Sequence, residues 1–118
     1  KFLDLEGNQL QNLSYSLEIG MKMYRNPKLL KLAKQSPCQL CGVEDFTIVA
    51  AHSNQLRDGK GTGIKAHDHR IAYLCYSCHT KIDQGKGLTK QQRQYEWEEA
   101  HRRTIGWLFE QGHLDVRP

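Results

Sequence analysis

The four cysteines of this chain form two matched pairs, Cys38-Gln39-Leu40-Cys41 and Cys75-Tyr76-Ser77-Cys78, and His79 follows the second directly, with Asp83 four residues further on. Two residues between cysteines let both sulfurs of a pair reach one ion, and two pairs complete a tetrahedral four-cysteine zinc site. The alternative is two disulfides in a secreted domain, with three connectivities open. Against it, the Leu10 to Tyr24 stretch is broken by polar residues and lacks an apolar run with a small-residue cleavage site, so it does not read as a signal peptide. Structural zinc in a reducing, cytoplasmic setting is therefore the expectation. No stretch approaches the roughly 18 to 20 apolar residues of a membrane span, so no membrane partner is expected.

The histidine and the aspartate add a second kind of chemistry. Residues four apart on a helix project side by side, so His79 and Asp83 can share one cation. His52 stands at the end of a β-branched and aromatic run, Phe46-Thr47-Ile48-Val49-Ala50-Ala51. If that run and a second strand form a hairpin packed on the helix, His52 sits across from the same ion. Such a grouping suits phosphodiester hydrolysis: a metal polarises the phosphate and stabilises the leaving oxygen, while a histidine not bound to it removes a proton from attacking water. Plainer roles stay open beside this one. His79 could cap the zinc site, and His52 could be a satisfied core histidine.

The elements that must position these residues follow from local patterns. Leu10, Leu13, Leu17, Met21 and Tyr24 recur at helical spacing, which marks residues 1–25 as a helical extension, accessory or non-native, and a route to a homodimer if its leucine stripe is exposed. Residues 26–118 then form the main domain. Asn26-Pro27 reads as an N-cap and first helical position, opening a short helix to about Lys34 that turns Leu29, Leu30 and Ala33 inward. Ser53 to Asp68 is polar and punctuated by Gly59, Gly61 and Gly63, hence a loop. Arg70 to Leu74 is the second strand, and Cys78 to about Gln84 a short helix ended by Gly85 and Gly87. Thr89 caps a long helix to about Gln111, with Trp97, Ala100, Thr104 and Leu108 as its buried stripe. His101 belongs to that packing, and His113 to a frayed tail.

Charge is unevenly distributed. Residues 21–95 carry 13 Lys and Arg against 5 Asp and Glu, a net of +8, whereas the whole chain of 118 residues is only +4. A positive field focused on the cysteine-bearing middle attracts polyanions, nucleic acid above all. Arg57, Lys60, Lys65 and Arg70 are the residues expected to contact phosphate. A simply solvated basic surface is the alternative.

The order of pair, strand, histidine, loop, strand, pair and helix resembles the HNH (ββα-metal) nucleases. Within them it is most similar to the YbcO-like nucleases of lambdoid prophages, through Ala51-His52, Gly61-Thr62-Gly63 followed by Lys65, Asp68, and Cys75-x-x-Cys78-His79-x-x-Ile82-Asp83. The likeness covers roughly residues 26 to 110. It implies an α+β fold with a small zinc-stabilised ββα-metal core: a β-hairpin, a short helix, and flanking N- and C-terminal helices. It further implies a metal-dependent DNA endonuclease acting in phage or prophage recombination or DNA processing. His52 is then the general base, and His79 and Asp83 hold a catalytic divalent metal. With so few protein ligands, that ion would be a hard, hydrated one such as magnesium or manganese. Asp68 or His67 is a candidate third ligand. Two positions depart from the family pattern. Ala51 replaces a frequent ligand just before the general base, and Arg70 replaces a frequent loop-bracing asparagine. Those departures motivate the alternative, a non-catalytic zinc-ribbon nucleic-acid-binding protein on a degenerate HNH scaffold.

Overall fold

The computed structural model describes residues 22–85 and 87–116. The predicted N-terminal helix lies almost wholly outside them, and residues 22–26 run as irregular chain. The first element, α1 (Pro27–Lys31), continues as a 3-10 turn over Leu32–Gln35. Its start is as the sequence predicts: Asn26 Oδ1 accepts the Leu29 N–H at 3.1 Å, and Pro27 occupies the first turn, where no amide partner is lost. Leu29 and Ala33 are buried, while Leu30 is only half-buried.

Two short strands follow, β1 (Val49–His52) and β2 (Ile71–Leu74), paired antiparallel with Val49 opposite Leu74 and His52 opposite Ile71. The first strand is shorter than its composition predicts. Asp45 Oδ1 accepts both the Thr47 N–H, at 2.8 Å, and the Thr47 hydroxyl, at 2.6 Å, so residues 45–47 form a turn. This leaves Phe46 98 % exposed, and Ile48 is the first residue of the run to enter the core.

Helix α2 (Tyr76–Gln84) begins two residues before the predicted start because Cys75 is its N-cap, its sulfur accepting the Cys78 N–H. The second cysteine pair is thus also the first turn of the helix. The Thr47 hydroxyl takes up one further amide there, that of Tyr76, at 2.9 Å.

Helix α3 (Lys90–Glu110) opens with a full capping box. Thr89 Oγ1 accepts from Gln92 N, and the Gln92 side chain accepts from Thr89 N. Trp97, Ala100, Thr104 and Leu108 are its buried residues, the predicted stripe. They pack along β2, where Ile71, Ala72, Tyr73 and Leu74 are all fully buried. Thr104 Oγ1 satisfies the Tyr73 amide at 3.0 Å, and the Tyr73 hydroxyl donates to the Leu29 carbonyl, pinning α1 to the same core. Burial pushes the Tyr73 phenol up to about 12.

The end of α3 is ordered, in contrast to the frayed tail the sequence predicts. Gly112, at φ +78°, lets its own N–H reach Phe109 O (3.1 Å) and lets the His113 N–H reach Leu108 O (2.8 Å), a paired closure of orphan carbonyls. The His113 ring then lies 5.4 Å from that of Trp107.

Gly106 sits inside α3, and a methyl group placed on it meets nothing within 4 Å. Gly106→Ala is therefore expected to raise stability by about 0.5–1 kcal/mol, through reduced backbone freedom in the unfolded chain. Urea unfolding with an unchanged slope would read it directly.

No helix of the described residues is long and apolar enough to cross a membrane.

Candidate functional site

All four cysteines are free thiols, and their sulfurs lie within 4.8 Å of one another, with Cys41 Sγ and Cys75 Sγ 3.8 Å apart. Zinc bound by four thiolates at about 2.3 Å in a tetrahedron sets its sulfurs about 3.8 Å apart, so the donor set and its spacing fit one metal ion such as zinc. Backbone amides already point at the sulfurs. Leu40 N–H and Cys41 N–H lie 3.4 and 3.5 Å from Cys38 Sγ, and Cys78 N–H lies 3.5 Å from Cys75 Sγ. Burial alone would raise the Cys38 thiol, but the amides of Cys41, Cys75 and Leu40 outweigh it and bring the group down to about 7. Burial and the neighbouring sulfurs push Cys78 up. A divalent cation would remove that mutual repulsion and release protons as it bound.

Among the described residues, this is the one group of three or more His, Cys, Asp or Glu side chains whose ligand atoms converge. The second predicted metal site comprises two residues. His79 Nε2 and Asp83 Oδ2 are 3.1 Å apart on one face of α2, with side chains 35 % and 48 % exposed. Asn54, two residues past the end of β1, donates its amide to Asp83 Oδ1 at 3.4 Å. Two residues of chain span at most about 7 Å, so this contact brings the end of β1 and the His79–Asp83 pair to the same corner of the molecule.

His52 is held from below. Its Nε2 lies 2.7 Å from Asp68 Oδ1, and Asp68 is buried. Asp68 also accepts the Asn26 N–H on Oδ2 at 2.7 Å and the Arg25 guanidinium on Oδ1 at 3.2 Å. Burial would raise this carboxyl. The hydrogen bonds from His52 and Asn26 and the charge of Arg25 outweigh burial and hold it below the ordinary aspartate range. An ionised carboxylate only accepts, so His52 must donate from Nε2 and its Nδ1 is left as the basic nitrogen. No other group among the described residues hydrogen-bonds the His52 ring.

The candidate third ligands are thereby engaged elsewhere. Both oxygens of Asp68 are used, and His67 Nδ1 accepts the Tyr24 N–H at 3.0 Å while its ring stacks on His69. The role of Asp68 was accessible in principle. An antiparallel hairpin that pairs His52 with Ile71 must return residue 68 to the end of β1, so register exposes the contact where motif matching does not.

The predicted phosphate contacts divide into two groups. Lys65 is exposed beside the tight Gly61–Ile64 turn, and Lys60 Nζ lies 3.3 Å from Gly61 O. Arg57 is two-thirds exposed yet pairs with Glu98 at 2.8 Å. Arg70 differs, being committed to the protein: Nε lies 2.8 Å from Asp58 Oδ1, Nη2 lies 2.5 Å from Glu98 Oε2, and the guanidinium covers one face of Trp97, with His101 stacked on the same ring system. Glu98 also accepts from Gln55 at 2.7 Å. Its burial is outweighed by the hydrogen bonds of Arg70 and Gln55 and the Arg70 charge, which bring it down to about 2. Arg70, Asp58 and Glu98 thus brace the 53–68 loop against α3. Ala51 is buried, and its carbonyl accepts the Trp97 indole N–H at 3.1 Å.

Compared with known proteins, the chain matches no family model, and no curated protein or solved structure is significantly similar to it.

Proposed function

We propose that this chain is a metal-dependent endonuclease of the HNH (ββα-metal) kind, acting on DNA in the cytoplasm during phage or prophage recombination or DNA processing. One observation carries the reading: a histidine hydrogen-bonded to a buried carboxylate ends β1, and Asn54, two residues further on, reaches the His79–Asp83 pair on α2. Cys38, Cys41, Cys75 and Cys78 would hold structural zinc, stapling the turn before β1 to the first turn of α2. His79 and Asp83 would hold magnesium or manganese, which when bound supplies charge to a phosphate oxygen and to the leaving group. Asp68 keeps the proton of His52 on Nε2, so Nδ1 is free to take a proton from the attacking water. Arg57, Lys60 and Lys65 supply positive charge along the 53–68 loop.

One observation favours the alternative, a non-catalytic zinc-ribbon protein that binds nucleic acid. Only two protein ligands converge at the second site, whereas four converge at the first.

Manganese separates the two readings, because its paramagnetism reports binding at low affinity. The zinc-loaded chain is expected to bind one manganese ion weakly. That binding should be lost in His79→Ala and Asp83→Ala and kept in His52→Ala. Absence of any manganese binding by the wild type favours the non-catalytic protein.

A further inference from the structure

Beyond the loop cations, the structure contains a second basic site adjoining the His79–Asp83 pair. A cleft opens between the segment after β1, α2 and the start of α3, floored by Ile82 and Trp97 and walled by Asn54, Lys90, Arg93 and Gln94. Asn54 is the wall shared with the pair, since its amide is the group that reaches Asp83. Among the described residues, no carboxylate lines the cleft.

Among the described residues, neither Lys90 nor Arg93 makes an ion pair, whereas Arg25, Arg57, Arg70, Arg102 and Arg103 all do. Arg93 is moreover held in place. Its Nε is buried against Gly85, where an added side chain would come within 2.5 Å of it, and has no hydrogen-bond acceptor among the described residues. A buried N–H of a guanidinium without an acceptor is costly, and the group is built to donate in a fixed fork to phosphate or carboxylate oxygens. Asn54 and Gln94 add neutral donors on the same walls.

We infer that this cleft is a phosphodiester-binding subsite for a nucleic-acid strand, seating the phosphate next to the one at the His79–Asp83 pair, with Lys90 and Arg93 as its charged ligands. The inference rests on the proposed function for the identity of the strand. A free phosphate ion shares the chemistry and must be distinguished by experiment. The cleft acts by positioning, because gripping the neighbouring phosphate fixes the register of the strand over His52.

The inference is tested by titrating the zinc-loaded full chain, without added magnesium or manganese, with a short DNA oligonucleotide and, separately, with inorganic phosphate. The arginine Nε–H signals are followed by NMR. The Arg93 signal is expected to shift with micromolar oligonucleotide, and Lys90→Ala/Arg93→Ala is expected to bind about tenfold more weakly, with a salt dependence shallower by about one phosphate contact. Reading the wild-type signal keeps the test valid if the double variant folds poorly. Oligonucleotide binding that leaves Arg93 silent and the variant unchanged overturns the subsite and leaves the nuclease reading intact. A response to inorganic phosphate alone also overturns it, and no binding of DNA overturns both. Binding through Lys90 and Arg93 with no cleavage under any metal upholds the subsite and removes the nuclease.

Discussion

A chelator strong enough to strip zinc is expected to unfold the centre of this chain, with loss of far-UV helical signal and of NMR dispersion, and readdition of one equivalent of zinc should restore both. The size of the effect follows from two magnitudes. Structural zinc in small domains binds with an apparent free energy of about 10–16 kcal/mol at neutral pH. Domains of this size are stable by only about 5–15 kcal/mol in total. The cysteines are also placed where their loss would spread. Cys75 is the N-cap of α2, and Cys38 and Cys75 belong to the same buried cluster as β2 and α3. Without the ion, four sulfurs within 4.8 Å of one another would lose the charge that holds them together and take protons back. Cys75→Ser should reproduce the chelated state at neutral pH. Native mass spectrometry that finds a folded, metal-free chain with two disulfides would contradict this.

How much of this was legible beforehand depends on the range of each interaction. The Asn26-Pro27 start, the Thr89 cap and the Trp97, Ala100, Thr104, Leu108 stripe are all set by residues within a few positions of one another, and all are found where the sequence puts them; the Gln92 half of the cap is added by the structure. The cysteine spacing likewise carries its own geometry. Less is legible where a turn or a distant side chain competes with the local pattern. Phe46 and Thr47 have strand composition, but the Asp45 carboxylate captures the Thr47 amide and the Thr47 hydroxyl is needed at the start of α2. Arg70 looks like a phosphate ligand in a basic stretch, and only the arrival of Glu98 from α3 shows it as a brace. Asp68 looks like a spare metal ligand until the hairpin register sets it against His52.

The second large effect concerns His52. His52→Ala should cut nicking of DNA by roughly 100-fold or more, the usual scale for losing acid–base assistance. The variant also deprives buried Asp68 of a hydrogen bond, which costs about 1–3 kcal/mol and complicates the reading. His52→Gln removes that ambiguity, because its amide N–H can reach Asp68 while its side chain has no basic nitrogen. Both variants should keep zinc and DNA binding, and both should stay inactive in excess metal. His79→Ala and Asp83→Ala should also lose activity, but through the metal, so raised magnesium or manganese should partly restore them. The rescue pattern separates a base from a ligand, which loss of activity alone cannot do. If excess manganese rescued His52→Gln, His52 would be a ligand and the assignment of roles would fail.

Cleavage by the unmodified chain bears most directly on the central claim. Zinc-loaded protein is incubated with supercoiled, linear duplex, single-stranded and branched DNA in the presence of magnesium, manganese or other divalent ions. The account predicts divalent-metal-dependent nicking of at least one form, abolished in His52→Gln. No cleavage of any form with any of these metals would contradict it, and the chain would then be a zinc-stabilised nucleic-acid-binding module in which Ala51 and the two-ligand pair mark a site without catalytic power.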